Sequence, residues 1–578
     1  MPASPRSDTT PHATAAEGTG AALVFGLVIA AGVLARIVQY AQRRPLFTDD
    51  VQLALNVLTR GYRDLLRPLD LEQSAPALFL WIQRFMSSAF GVSDVSLTIV
   101  SLIAGLAVLP LAWLIARRVV DRETSMFAVA LLAVSPPLIY YSSSAKQYEM
   151  GVFVCALAAL LGLRALESPD RSSRWVAAIG GGVIALTLSM PVLFVLGGVW
   201  CAWALDRSIR TSARGRLLLM ASGGLWGATF LSMYLGMYSV VSRNVYMRRY
   251  WHGAYMSSQT TLWNALRYVG RGVHEPLFDV GSPALWPVTL ALSTLTLVGV
   301  VMLVRQRRFA IVALLTVPVV LAIAASSLGQ WILYSRFMVF SAPLVAVLLA
   351  HGMTTLARRV GRHARYREAL VMVGGLAALA LPGRYTAWVT RHPSTADASR
   401  QIVQSFMAHA RPEEPVYVFP RAVPLWTYYS TDWRRPDTAR VRRLLRNAIE
   451  IGPGSGNASP RGRPVVHEGF ERQYPFRGAT ELIGVATGME NTGALRAAAP
   501  DSGWADNEAE RIRQVAAPTV WVAFVQHRKV PREALQKAIE RRGGHITFAD
   551  VRPGAALFQY RFDVADSSVV DQEPDRPS

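Results

Sequence analysis

Charge and cysteine are scarce in this chain. Asp, Glu, Lys and Arg together make up 17% of its 578 residues, against roughly 25% in an average soluble domain. The only cysteines, Cys155 and Cys201, both lie inside apolar runs. They exclude a disulfide framework and a thiolate metal site, which leaves a buried packing role. No repeat of solenoid length is evident. Residues 1–20, MPASPRSDTTPHATAAEGTG, lack hydrophobic periodicity and read as a disordered lead. No signal-cleavage pattern follows, so the apolar run from Ala21 to Tyr40 reads as a retained first helix.

Apolar residues are abundant: 52% of the chain is hydrophobic and the mean hydropathy is +0.26. Several runs stay apolar for about 20 residues, enough for a helix to cross a hydrocarbon core about 30 Å thick. The expectation is a polytopic α-helical membrane protein. Eleven spans are expected near 21–40, 96–116, 124–143, 150–166, 175–190, 191–205, 217–237, 284–304, 309–328, 335–351 and 368–382.

The formal net charge of +21 comes mainly from arginine. Gathered on one soluble surface, it would suit nucleic acid. Here it sits in short loops: Arg117, Arg118 and Arg122; Arg164, Arg171 and Arg174; Arg207, Arg210, Arg214 and Arg216; Arg305, Arg307 and Arg308; then five arginines between Arg358 and Arg367. Every second loop is such a cluster, and the short loops between are nearly free of positive charge. This is the pattern of the positive-inside rule. It argues for membrane lipids and against nucleic acid as partners. It also places the N-terminus and the clusters in the cytoplasm, and the C-terminal domain outside it.

Three longer segments then fall on the outer side. In the loop 41–95, DDVQLALNVLTRGYRDLL and APALFLWIQRFMSSAF repeat apolar residues at helical spacing, as interfacial helices do. The loop 238–285 is rich in Arg, Tyr, Trp and His. Residues 383–563 read as a soluble α/β domain. In it, VYVFP, VWVAFV and AALFQYRFD look like strands, and PREALQKAIERR like a helix closed by Gly543-Gly544. Residues 564–578 read as an acidic disordered tail.

The acid pair Asp49-Asp50 follows the first span. Thr48 or Asp49 can serve as the N-cap of the helix that follows. Alternatively, one carboxylate can act as a general base that deprotonates an acceptor hydroxyl. Lys146, Arg336 and Arg36 stand at outer ends of spans, placed either to meet the charge of a departing phosphate or to anchor the interface. Tyr246, Tyr250, Trp251, Tyr255 and Trp263 fit an interfacial aromatic belt better than a sugar-stacking wall. His252, His274 and Glu275 match no metal motif, and the histidines read as surface residues.

Taken in order, the acid pair, APALFLWIQRF, FGVSDVSLTIVSLIAGLAVLPLAWLIARRV, LLAVSPPLIYYSSSAKQYEM and YSRFMVFSAPLVAVLLAHG resemble the bacterial family 39 glycosyltransferases of the GT-C superfamily. That group includes protein O-mannosyltransferases and the aminoarabinose transferases of lipid A. The similarity covers roughly residues 20–355 and is strongest over 45–150. It implies a GT-C-type transmembrane bundle with a C-terminal soluble α/β domain, in a bacterial inner membrane. The family's acidic motif usually reads Asp-Glu, and its first acid falls on Asp49. The departure at Asp50 leaves open which carboxylate is the base. Lys146-Gln147-Tyr148 fits the family's basic-aromatic motif, which makes Lys146 and Tyr148 substrate-binding candidates. Arg336-Phe337 fits a later one in which Tyr is commoner than Phe.

The resemblance implies an inverting transfer of sugar from a polyprenyl-phosphate carrier to an acceptor on the outer face. The acceptor could be a protein, a lipid or a polysaccharide. No cofactor is called for, although paired acids hold a divalent metal in some relatives. The rival readings are a transporter or lipid flippase, which would place ionisable groups near the bilayer midplane, and a non-catalytic scaffold of the envelope.

Overall fold

The computed structural model describes residues 13–243, 247–248, 251–259, 261–278, 285–360, 398–451, 473–484, 503–525 and 529–562, with isolated residues between 373 and 391. They divide into two compact units, Met1–Ser394 and Thr395–Ser578. The expected disordered lead is helical from Ala13, where α1 starts, and residues 1–12, most of the span at 368–382 and the acidic tail lie outside the described residues.

The first unit is helical. Among its described residues seven helices are long and apolar enough to cross a membrane: Leu23–Ala41, Asp94–Val119, Tyr148–Glu167, Ala213–Tyr238, Trp286–Arg305, Phe309–Ser327 and Ser335–Val360. The chain is a multi-pass membrane protein. Helices α1 (Ala13–Ala41), α2 (Thr48–Thr59), α3 (Ala77–Phe90), α4 (Asp94–Val119), α5 (Arg122–Ala133), α6 (Pro136–Tyr141) and α7 (Tyr148–Glu167) form its first half. α3 starts behind Pro76 and stops at Gly91, whose φ of 75° and ψ of 166° suit a residue without a Cβ. Ser93 then caps α4, its hydroxyl accepting from the Ser96 amide at 3.1 Å. Small residues bring helices close: a methyl group at Gly299 would overlap the Leu348 carbonyl, and one at Gly352 the Leu295 carbonyl.

The expected span 124–143 is two helices. Pro136 and Pro137 lack amide hydrogens, and a proline pushes the preceding residue out of the helical region; Ser135 adopts φ −64°, ψ 118°. The break strands the last carbonyls of α5 in a buried place. Arg36 of α1 meets them, donating to Leu132 O at 2.9 Å and Ala133 O at 2.5 Å. Thr386 donates to Val134 O at 2.9 Å, and Ser135 to Pro276 O at 2.9 Å. Two shorter apolar helices, Ser172–Leu188 and Val192–Leu205, turn at Met190-Pro191.

The second unit is a six-stranded mixed sheet with helices. Its strands are β1 (Val416–Val418), β2 (Gln473–Phe476), β3 (Ala479–Ile483), β4 (Thr519–Val525), β5 (Gly544–Arg552) and β6 (Ala555–Phe562), in the order β2-β3-β1-β4-β6-β5. β1 runs parallel to β3 and β4, and the other pairings are antiparallel. The expected strands are β1, β4 and β6, and the expected helix is Lys529–Arg541. Tyr417, Trp426 and Trp521 are fully buried at its centre. The buried pair Arg440–Glu481, at 2.7 Å, also engages the Trp426 indole.

Candidate active site

α2 begins with its acid pair. Asp50, the third residue of the helix, turns back and accepts from the Phe47 amide at 3.2 Å, so it serves the helix start. Its other oxygen accepts from the Ser144 hydroxyl at 2.5 Å. With 2% exposure it is buried and occupied on both sides. Asp49, one residue earlier and about 100° around the helix, points elsewhere. Its side chain is 32% exposed and accepts from Arg336 Nη1 at 2.6 Å.

Arg336 enters from the opposite end of the unit's sequence, in the turn Ser335–Met338. Its guanidinium lies 4.9 Å from the Trp251 ring and 5.1 Å from Phe337. Trp251 also packs on Tyr334 at 5.8 Å and on Phe337 at 5.5 Å. Tyr148 meets Phe337 edge-on at 6.1 Å and Tyr141 at 5.0 Å. Trp251 is therefore part of an aromatic wall around Arg336 rather than only a belt residue, and Trp263 pairs with Trp286 at 5.0 Å. Tyr246 and Tyr250 lie outside the described residues.

Lys146 is buried, and its ammonium donates to Gln73 Oε1. The glutamine cannot turn away, because its Nε2 donates to Gln52 Oε1 at 2.8 Å and to Leu71 O at 3.0 Å. The turn that delivers it is strained: Leu71 and Glu72 have φ of 59° and 57°, the left-handed region that favours glycine. Asn56 holds the turn from α2, accepting from Asp70 N at 2.8 Å and donating to Asp70 O at 3.1 Å. Gln147 adds a bond to Ser74 O at 3.1 Å. Asp49, Gln52 and Asn56, three and four residues apart, thus form one polar stripe on an otherwise apolar helix.

The charges act on one another. Burial works to raise the Asp49 pKa, but Lys146, Arg336 and the hydrogen bond from Arg336 outweigh it and hold the carboxyl below its ordinary value. Burial lowers the pKa of Lys146; Asp49 and Asp50 pull it back and Arg336 pushes it down further, leaving it below the ordinary amine value. The Asp49 carboxylate is therefore ionised across the neutral range.

Asp49, Asp50, Lys146, Tyr148 and Arg336 come together in the structure. Arg36 does not join them, since its two terminal nitrogens are spent on backbone carbonyls. Next to Tyr148, Glu149 is fully buried within electrostatic range of Arg36. His274 is not a surface residue. The amphipathic helix Leu262–Phe278 turns it inward against α6 and the Ser335–Met338 turn, and burial lowers its pKa to about 3. Among the described residues no three His, Cys, Asp or Glu side chains gather as a metal site.

The class that this arrangement suggests can be compared with known proteins. A family model described as dolichyl-phosphate-mannose-protein mannosyltransferase matches residues 74–199, a segment that contains Lys146 and Tyr148. The match bears out the resemblance read from the sequence. No curated protein matches the chain. Among solved structures, the chain is similar to ArnT from Cupriavidus metallidurans in the apo state at 13% identity and a TM-score of 0.48, covering 94% of this chain and 98% of that one. ArnT bound to undecaprenyl phosphate gives the same identity and score, over 92% and 97%. An Archaeoglobus fulgidus oligosaccharyltransferase with Zn and sulfate is 12% identical with a TM-score of 0.44, covering 92% of this chain and 73% of that one.

The Gln73–Lys146 contact has a measurable consequence. Gln73→Leu leaves a buried ammonium without its acceptor, a loss of about 1.5–3 kcal/mol for a charged hydrogen bond. Thermal unfolding of the purified protein should show this loss, and adding Lys146→Met should recover most of it. Equal, additive losses in the two single variants would mean that the contact carries no coupling.

Proposed function

We propose that the chain is an inverting glycosyltransferase that moves a sugar from a polyprenyl-phosphate carrier to an acceptor at the outer face of the membrane. The observation that carries the reading is the Asp49 site: a partly exposed carboxylate with Arg336 at 2.6 Å and Lys146 close enough to act on it. A partly exposed carboxylate with cations beside it is what displacement of a phosphate by a hydroxyl needs. The description of the matched family, a transferase that uses mannose carried on a polyprenyl phosphate, supports the same chemistry.

In this reading the acceptor oxygen attacks the anomeric carbon, its proton passes to Asp49, and the bond from that carbon to the phosphate oxygen breaks. The polyprenyl phosphate leaves with the bonding electrons, next to Lys146 and Arg336. A single displacement inverts the anomeric centre. Asp50 positions the helix start and the Ser144 loop and takes no proton. Arg36 acts through the packing of α1 on α5.

Arg336 has two partners to serve. In the free protein it neutralises Asp49; an arriving phosphate draws it away, and Asp49 becomes more basic as the donor seats. Donor binding would thus switch on the base.

The division of roles predicts that Asp49→Asn abolishes transfer while the protein still inserts and folds. Asp50→Asn, which keeps an acceptor oxygen for the Phe47 amide, should retain part of the turnover and lose stability. Radiolabelled polyprenyl-phosphate sugars incubated with membranes measure both. A dead Asp50→Asn beside an active Asp49→Asn would move the base by one residue; activity in both would end the enzyme reading at this site.

The electrostatics predict a pH profile. With its pKa held down, Asp49 keeps its charge until the pH falls below the ordinary carboxylate range near about 4. The acid limb of kcat/KM should lie there and move upward in Arg336→Gln, which removes the stabilising cation. An acid limb that stays put in Arg336→Gln would detach Asp49 from the rate.

Orientation follows from the arginine clusters. With those clusters inside, the candidate site and the unit Thr395–Ser578 are both outside. Protease added to intact spheroplasts should remove that unit, whereas cleavage only after lysis would reverse the assignment.

A further inference from the structure

Among the arginine clusters, between the ends of helices in the first unit, lies a cavity of about 390 Å³ lined by Asp121, Gln306, His351, Thr355, Arg358 and Arg359, with Val119 and Val120. It uses none of the residues of the Asp49 site. His351 is 9% exposed, and neither of its ring nitrogens has a hydrogen-bond partner among the described residues. A buried imidazole must donate from at least one nitrogen, and leaving that donor unpaired is costly. The residue lines the cavity, so whatever fills the cavity can satisfy it.

The cations around it differ in how far they are engaged. Arg358 is held by acids, donating to both oxygens of Asp121 at 2.9 and 3.0 Å and to Glu123 at 3.2 Å. Asp121 also accepts from the Thr124 amide and hydroxyl, at 3.1 and 2.9 Å. Its charge is thereby countered. The helix-end carbonyls that would repel an anion are also covered, since Arg308 donates to Val119 O and, at 3.0 Å, to Arg118 O. Arg359, by contrast, is exposed and meets the Met302 sulfur at 3.3 Å. The Gln306 amide supplies a further donor. An unpaired imidazole, an available guanidinium and an amide converging on one cavity match a phosphate oxyanion.

We propose that this cavity binds a phosphate group, with His351 and Arg359 as its principal donors, and that the phosphate belongs to the headgroup of an anionic phospholipid. Its place at the ends of spans favours the lipid source. Leu356 and Val360, on the same helix as His351, and Val304 before Gln306 expose 44%, 63% and 40% of their surface, leaving apolar flanks for acyl chains. Basic pockets between helices near a membrane surface hold headgroups in this way. The proposal stands independently of the glycosyltransferase reading.

The test is native mass spectrometry of the full chain in detergent, titrated with phosphatidylglycerol, with phosphatidylcholine as the zwitterionic comparison. The variants are Arg359→Gln, on an exposed side chain that folding does not need, and His351→Asn. Arg210→Gln, in another arginine cluster, controls for dispersed charge. Wild type should bind phosphatidylglycerol about tenfold tighter than phosphatidylcholine, the size of a charge-assisted contact. Each cavity variant should lose that preference and Arg210→Gln should keep it. Inorganic phosphate tested alone separates the sources: displacement of the lipid by millimolar phosphate makes the phosphate itself the recognised group, and failure to displace assigns the acyl chains a share. Equal lipid preference in wild type and both cavity variants, or an equal loss in Arg210→Gln, overturns the proposal.

Discussion

A carbonyl left unpaired in an apolar interior costs free energy that water cannot return, and the break at Ser135-Pro136 leaves several. The candidate site depends on how they are satisfied. Arg36 and Thr386 close the gap, so the chain can stop one helix, run six residues in another and then turn toward α2. Arg44 catches the emerging loop at Ser143, bonding its hydroxyl and carbonyl at 3.1 Å each. Ser144 lands on Asp50 and Lys146 on Gln73. An unbroken helix across 124–143 would carry these residues past α2 instead of onto it.

α2 is the other half of that junction. It is twelve residues long, and nearly every side chain in its middle is buried. Its polar residues therefore have specific partners: Asp50 for the helix start, Asn56 for the Asp70 turn, Gln52 for the glutamine that holds Lys146. Asp49 is the acid whose side chain stays partly exposed, paired with Arg336. Two adjacent acids thus differ in chemistry because a helix sends neighbouring side chains in different directions.

The membrane class, the helices α2 and α3 and three strands were legible because each rests on a local period: long apolar runs, apolar residues every three or four, and β-branched or aromatic runs. The Asp49–Arg336 and Gln73–Lys146 pairs join residues far apart in sequence, and no local period encodes them. Gln52 and Asn56 went unread in the sequence, because a polar residue in an apolar helix does not name its partner. The break at Pro136-Pro137 was missed, because the apolar residues on both sides read as one span. β5 escaped notice because GHITFADVR exposes most of its side chains and lacks an apolar face. Arg36 looked like an interface cation, since nothing local marks a side chain that will reach carbonyls nearly a hundred residues away.

The two acids also differ in how readily they can exchange partners, which bears on any chemistry at this site. Asp50 holds two short or well-directed bonds in a closed environment, and releasing either would strand a buried amide or hydroxyl. Asp49 and Arg336 are 32% and 22% exposed, so the pair is partly open to solvent and a competing anion can reach it. A phosphate carries more charge than a carboxylate and offers a guanidinium two oxygens in its own geometry. In the proposed reaction Arg336 can therefore trade one partner for the other while it stays against Trp251 and Phe337. Lys146, clamped by a glutamine in a strained turn, cannot move far. In the proposed reaction the site thus combines one fixed cation, one exchangeable cation and a single available carboxylate, and the exchange would link arrival of the phosphate to the basicity of Asp49.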